Sequence, residues 1–415
     1  MPTHQILFPW WSVLPFVILL LCIALLPLVA SHWWEDHKHK AWVGLACSVP
    51  IILVILEHQP AELLATLHEY LAFILLLGSL FVVAGGIVLD GDLRGTPVIN
   101  TVFLVLGAAL ANLIGTTGAS MVLIRPFLRA NAQRRNIAHL PIFFIFVVSN
   151  IGGCLTPLGD PPLFLGFLQG VPFFWTLALW PEWVMAIGLL LVVFYLFDRA
   201  RYQRERKVDL RRDDAKRTRL RLRGRRNILC LGGIVAAVFL PDPWRELVML
   251  AMGALGYFWT PREYRRKNAF TFLPIAEVAI LFIGIFITMV PALALLRAHG
   301  HEFGITKPWQ FFWLTGALSS FLDNAPTYLT FVSLGQGLGV GGPVLQLPEQ
   351  LLRAISLGAV FMGANTYIGN GPNFMVKAIA EEMKVTMPSF FGYMAYSVGI
   401  LLPIFLAVTL VFFRP

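Results

Sequence analysis

Residues 149–164 read Ser-Asn-Ile-Gly-Gly-Cys-Leu-Thr-Pro-Leu-Gly-Asp-Pro-Pro-Leu-Phe. The stretch lies inside a long apolar run, where a membrane helix should be continuous. Gly152, Gly153 and Gly159, with Pro157, Pro161 and Pro162, forbid that. Proline removes a backbone donor and collides with the preceding turn, and glycine holds a helix poorly. Backbone freed at bilayer depth is tolerated only where protein or a water-filled cavity covers it. Asp160 sits in the break. An ionised Asp at the bilayer centre costs about 2.5–3.5 kcal/mol on insertion scales, so such acids are functional candidates. An interrupted helix with a carboxylate at the interruption reads as half of an ion or substrate site.

The rest of the chain is of the same kind. Its 415 residues are 57% hydrophobic and 13% charged, with a mean hydropathy of +0.73. A soluble chain of this length would be far more charged. Several apolar stretches reach the roughly 20 residues needed to cross about 30 Å of hydrocarbon. The expectation is an all-α polytopic membrane protein with about ten spans. The net charge of +9 comes from one segment. Residues 199–226 carry fourteen of the 32 Lys/Arg and four of the 23 Asp/Glu, which leaves eighteen bases against nineteen acids elsewhere. That segment reads as a cytoplasmic topology anchor, compatible with anionic lipid head groups. Tyr202 is its only aromatic, so nucleic-acid binding is not expected. Cys22, Cys47, Cys154 and Cys230 lie in apolar segments without paired spacing and read as reduced core residues. The first apolar segment has no basic n-region and no clear cleavage site, and reads as a span.

The spans fall at 12–30, 41–57, 63–89, 138–170 (broken), 180–198, 227–240, 244–259, 272–296, 351–382 (broken) and 390–412. Two further apolar segments, 98–130 and 309–338, have polar helix-breaking middles, Gly115-Thr116-Thr117-Gly118 and Asp323-Asn324-Ala325-Pro326-Thr327. At about 1.5 Å per residue each half is too short to span alone, so both read as re-entrant hairpins. With 199–226 inside, the loops 31–40, 90–97, 125–137 and 260–269 also fall inside and carry Lys or Arg. The opposite loops 58–62, 171–182 and 241–243 carry neither; 297–308, with Arg297 and Lys307, is the exception. Both termini then lie on the far side of a cell (plasma) membrane.

This count implies an inverted repeat. After N-terminal spans in 1–62, residues 63–198 run as span, hairpin, broken span, span. The basic loop 199–226 and linking spans in 227–271 follow, and 272–415 repeats the order with opposite orientation. Gly107, Ala108 and Leu113 match Gly316, Ala317 and Leu322 at an offset of 209; Gly159, Pro162 and Phe164 match Gly369, Pro372 and Phe374 at 210. Inverted repeats with discontinuous helices are the plan of many secondary transporters, with the site near the midplane.

The candidate site collects the polar groups at these breaks. Thr116, Thr117, Asp323, Asn324 and Thr327 come from the hairpin tips. Ser149, Asn150, Thr156 and Asp160 come from the first broken helix, and Asn365, Thr366, Asn370 and Asn373 from the second. Carboxylates, amides, hydroxyls and freed carbonyls suit a hard cation. Half-helix N-termini suit an anion. Asp160 and Asp323 fall in opposite repeats, and two carboxylates facing one cavity can exchange protons for a cation, since burial and like charge raise their proton affinity. Both are therefore candidate ligands of a transported cation. The bland alternative makes each a helix cap. Glu277 is a candidate pathway residue. Glu57, Glu62 and Glu182 sit near interfaces and read as solvated. Arg125 either snorkels to the cytoplasmic face or, pointing inward, would clamp an anion. His32, His37 and His39 read as a solvated loop.

At these motifs the chain resembles the ion transporter superfamily, which includes NhaD-type sodium/proton antiporters, citrate and dicarboxylate transporters and the arsenite permease. The carrying residues are Ser149-Asn150 with Thr156-Pro157-Leu158-Gly159-Asp160, Leu322-Asp323-Asn324-Ala325-Pro326-Thr327, and Asn365-Thr366 followed by Gly369-Asn370-Gly371-Pro372-Asn373. The likeness covers about 63–412. It implies an inverted repeat with paired hairpins, a homodimer, no resident cofactor, and coupling to Na⁺ or H⁺. The family's carboxylate transporters carry Ser-Asn-Thr at both tips. The Asp-Asn-Ala-Pro-Thr tip here looks more like the antiporter and arsenite branches. The resemblance thus favours sodium/proton antiport by alternating access, with a Na⁺- or H⁺-coupled citrate or dicarboxylate transporter as the alternative. No enzyme is expected: an intramembrane aspartyl protease would need glycine where Pro157 stands. A channel would move ions without coupling to a proton gradient.

Overall fold

In the computed structural model the described residues are 8–206 and 218–414. The extreme termini and residues 207–217 of the basic segment lie outside them. Among the described residues seven stretches are long and apolar enough to cross a membrane: Trp10–Val29, His37–His58, Pro60–Ala84, Pro97–Arg129, Phe173–Tyr202, Leu273–Phe303 and Phe390–Phe412. The protein is an all-α polytopic membrane protein with several shorter helices between these.

Pro97–Arg129 is not a rod. Gly115 takes φ +77° and ψ 156°, a left-sided conformation open to glycine, and the helix folds back there. The arms meet along their length. Asn100 exchanges amide hydrogen bonds with Asn131 at 2.9 Å, and the Phe103 and Phe127 rings lie 5.6 Å apart. A second hairpin pairs Pro308–Ser319 with Asn324–Gln336, with the Phe311 and Phe331 rings 6.3 Å apart.

Two helices are interrupted. The first runs His139–Val147, then a tight turn at Ile151–Leu155, then Pro161–Leu168. The second runs Glu349–Met362, a turn at Gly363–Asn365, and Gly371–Glu382. Proline sits at the first turn of each later piece, where its missing N–H costs nothing. The freed backbone groups find partners in the adjacent hairpin, as a membrane interior demands. Asn112 donates to Gly152 O (2.7 Å) and accepts from Leu155 N (2.8 Å), while Thr156 donates to Asn112 O (2.5 Å). In the other half Ser320 donates to Met362 O (3.1 Å), and Thr366 donates to Ser320 O. Gly152 with Met362, and Thr156 with Thr366, stand at the same offset of 210.

The helices Arg225–Ala237 and Trp244–Trp259 are short but form a hairpin of nearly full height. Gly253 packs on Ser79 and Gly256 on Val83, so Trp244–Trp259 runs parallel to Pro60–Ala84. It reaches from His68, near Asp242, to Gly86, beside Thr260. That interval is about 27 Å at 1.5 Å per residue.

Three expectations need correcting. The basic segment is not only loop: Thr218–Arg223 pairs antiparallel with Val88–Asp92, in register Val88 to Arg223 and Asp90 to Arg221. Asp90 binds Lys267 at 2.9 Å and Arg223 at 2.6 Å. The Lys267 hydrogen bond, then the charges of Lys267 and Arg223, hold its carboxyl below the usual range. This clasp therefore contributes stability above the ordinary carboxylate pKa and loses it as pH falls through the depressed one. Second, Glu182 is not solvated. It is buried and paired with Arg353 at 2.7 Å, a partner far away in sequence. Third, Arg134 is more than a loop charge. It is buried against Asp198 (2.5 Å), which also binds His139 (2.9 Å) and Asn100 (2.9 Å). Removing one partner of such a pair costs about 3–5 kcal/mol, so the network pins the first hairpin to Trp180–Tyr202.

Candidate functional site

The four interrupted pieces meet at Asp160, which is 1% exposed. Each of the other three pieces donates one hydrogen bond to its carboxylate. Thr116 Oγ1, from the first hairpin, donates to Oδ1 at 2.9 Å. Asn370 Nδ2, from the second broken helix, donates to Oδ1 at 3.1 Å. Asn324 Nδ2, from the second hairpin, donates to Oδ2.

Asp160 precedes the helix Pro161–Leu168, yet its side chain caps nothing there, so its bland reading as a cap fails. Asn370 likewise precedes Gly371–Glu382 without capping it. The two residues are equivalent at offset 210, and each turns away from its own helix toward the other. The fold therefore places an Asp and an Asn at matching positions in the two halves and leaves one carboxylate between them.

Around this pair lies a shell of buried amides. Asn370 also donates to Ser149 O (3.2 Å) and Asn150 Oδ1 (3.1 Å). Asn150 donates to Asn373 Oδ1 (2.6 Å) and Ile145 O (2.9 Å). Asn373 donates to Gly363 O and Thr366 O at 2.9 and 3.0 Å. Ser149 pairs with Ser120 at 2.8 Å. Helices or helix arms begin at Thr116, Pro161, Asn324 and Gly371, the positions that converge on Asp160. Their positive ends favour an anion, and the group they converge on is the Asp160 carboxyl. No Lys or Arg among the described residues donates to that carboxylate. Arg125, the anion clamp considered above, pairs instead with Glu382 at 2.8 Å.

Acceptors outnumber donors here. Asn324 Oδ1 and Asn365 Oδ1 are buried and find no hydrogen-bond partner among the described residues. Asp323 is half-buried; its Oδ1 accepts from Ala325 N at 3.0 Å, so it does cap its helix. Its neighbour in sequence, Asn324, touches Asp160, so Asp323 lies beside the residue that bonds the other acid. Thr327 donates to Asp323 O, and Asn365 to Ser320 Oγ; both bonds brace the breaks rather than reach Asp160. Thr156 and Thr366 brace in the same way. Thr117 is half-buried, with no side-chain hydrogen bond found among the described residues. Glu277 pairs with Lys40 at 2.5 Å, away from the site.

Sequence reasoning misses Asn112, Ser320 and the Arg134–Asp198–His139 group. A lone buried amide inside an apolar hairpin arm is the signal that Asn112 offers.

Paired hairpins, interrupted helices and a buried polar centre define a multi-pass membrane transporter. The sequence profile of a family described as "Putative citrate transport" matches residues 5–413, nearly the whole chain, and the chain belongs to that family. It is also similar to uncharacterized transporters of Mycobacterium bovis and Mycobacterium tuberculosis. Each is 26% identical over 401 residues, covering 87% of this chain and 89% of the relative. The protein is thus a transporter and not an enzyme.

Proposed function

We propose that the protein exchanges Na⁺ for H⁺ by alternating access around Asp160. One observation carries the reading. The place where four helix N-termini favour an anion is filled by the chain's own carboxylate, and the unpaired groups around it are acceptors. What such a site still lacks is a cation or a proton. Asp160 takes either one; Asp323 and the free oxygen of Asn324, whose amide already touches Asp160, extend a hard-oxygen shell. The basic end of the bundle faces the cytoplasm of the cell membrane, and the working unit is a homodimer, as the family resemblance implies.

The family description favours a second reading, transport of citrate. A polycarboxylate meets two acids and no bound Lys or Arg here, so it would have to arrive with its own cations. One assay separates the readings. In everted vesicles that hold a preset pH gradient, Na⁺ is expected to collapse the gradient between about pH 6 and about pH 9. Labelled citrate is expected not to accumulate. Absence of the Na⁺ response, with citrate uptake driven by Na⁺ or H⁺, puts the second reading first.

A further inference from the structure

A second group of ligand-type side chains lies away from this site, at the opposite end of the bundle from the basic loops. His68 stands on Pro60–Ala84. Asp242 stands in the turn before Trp244–Trp259, and Glu246 in that helix's first turn. One ligand atom from each lies within 4.8 Å of the other two. His68 Nε2 and Asp242 Oδ1 are 3.1 Å apart, close to the ~3.3 Å between two ligands on one tetrahedral ion with bonds of about 2.0 Å.

An independent observation points the same way. Glu246 is 9% exposed, and its Oε2 is buried with no donor among the described residues. Its Oε1 is held by Arg245 at 2.5 Å. A buried carboxylate oxygen left without a partner is destabilising, because burial has removed its water and nothing replaces it. Pro241 and Pro243 flank Asp242 and restrict its turn, which limits the ordering needed on binding.

We propose that His68, Asp242 and Glu246 bind a divalent first-row transition metal such as Zn²⁺, with water completing the shell. One imidazole and two carboxylates suit that class, and three protein ligands leave an open position. The ion supplies the missing partner of Glu246 Oε2 and ties the helix Pro60–Ala84 to the hairpin Arg225–Trp259. This inference does not rest on the transport reading.

The test uses the full chain, purified in detergent with any affinity tag removed, stripped of metal and titrated with Zn²⁺ against a chromophoric indicator. One Zn²⁺ per chain is expected. His68→Ala and Asp242→Asn, both at half-exposed side chains, are each expected to weaken binding at least tenfold while the gel-filtration profile is kept. Asp160→Asn is expected to leave binding unchanged. Absence of stoichiometric binding, full affinity in both ligand variants, or loss of binding in Asp160→Asn overturns the proposal.

Discussion

Asp160→Asn is expected to reduce Na⁺/H⁺ exchange to background while the protein still folds. The substitution keeps the shape and removes the charge. Three donors face the carboxylate, so a new amide donor in its place meets like groups. Asn324 relieves this by rotating its amide, because its Oδ1 is free to accept. The fold survives for that reason, and the charge that binds a cation or proton is gone. The equivalence of Asp160 and Asn370 adds a sharper arm. Asn370→Asp in the Asp160→Asn background moves the carboxylate to the matching position before the later piece of the second broken helix. Partial recovery of exchange is expected, measured as Na⁺-driven pH change in proteoliposomes. Exchange within twofold of wild type in Asp160→Asn alone would return Asp160 to a structural role.

Gly159→Ala is expected to prevent accumulation of folded protein. A Cβ at Gly159 would lie 2.0 Å from Gly153 O and 2.7 Å from its carbonyl carbon. Both are backbone atoms of the same break, so no side chain can move aside. Overpacking in a well-packed core costs typically about 1–3 kcal/mol, more where backbone must shift. The matching contact in the other half is looser, with Gly363 O and Ser319 O both 2.7 Å from a Cβ at Gly369. Gly369→Ala is therefore expected to destabilise less. Gly188, with nothing within 4 Å of its Cβ position, is the control. There alanine favours the helix by about 1 kcal/mol. The yield of monodisperse protein on gel filtration ranks the three, with thermal melts for each variant that is recovered. Equal stability for Gly159→Ala and Gly188→Ala contradicts the packing account.

The interruptions are legible in the sequence because they break local rules. Glycine and proline inside an apolar run have no bland reading, and Asp160, Asn324 and Asn370 stand at those points. The Gly115 turn is legible too, although Thr116 and Thr117 prove to belong to the arm that follows. What stays hidden depends on distant partners. Glu182 looks like an interface acid until Arg353 is placed beside it. Arg134 looks like a positive-inside loop charge until Asp198 and His139 close around it. The pairing of Val88–Asp92 with Thr218–Arg223 is hidden because charge dominates both segments. Asn112 is hidden because its work is to hold another segment's freed backbone, and its own neighbourhood is apolar.

The account depends on the two interrupted helices crossing at Asn150 and Asn373, whose side chains bond at 2.6 Å. Cysteines placed at both positions test this directly, in a chain lacking Cys22, Cys47, Cys154 and Cys230 and carrying a protease site within 199–226. After treatment with a short membrane-permeant reagent carrying two thiol-alkylating groups, and then proteolysis, the halves are expected to stay joined on a denaturing gel, and to separate in either single-cysteine chain. Separation of the halves in the double-cysteine chain, with both thiols shown to have reacted, contradicts the crossing.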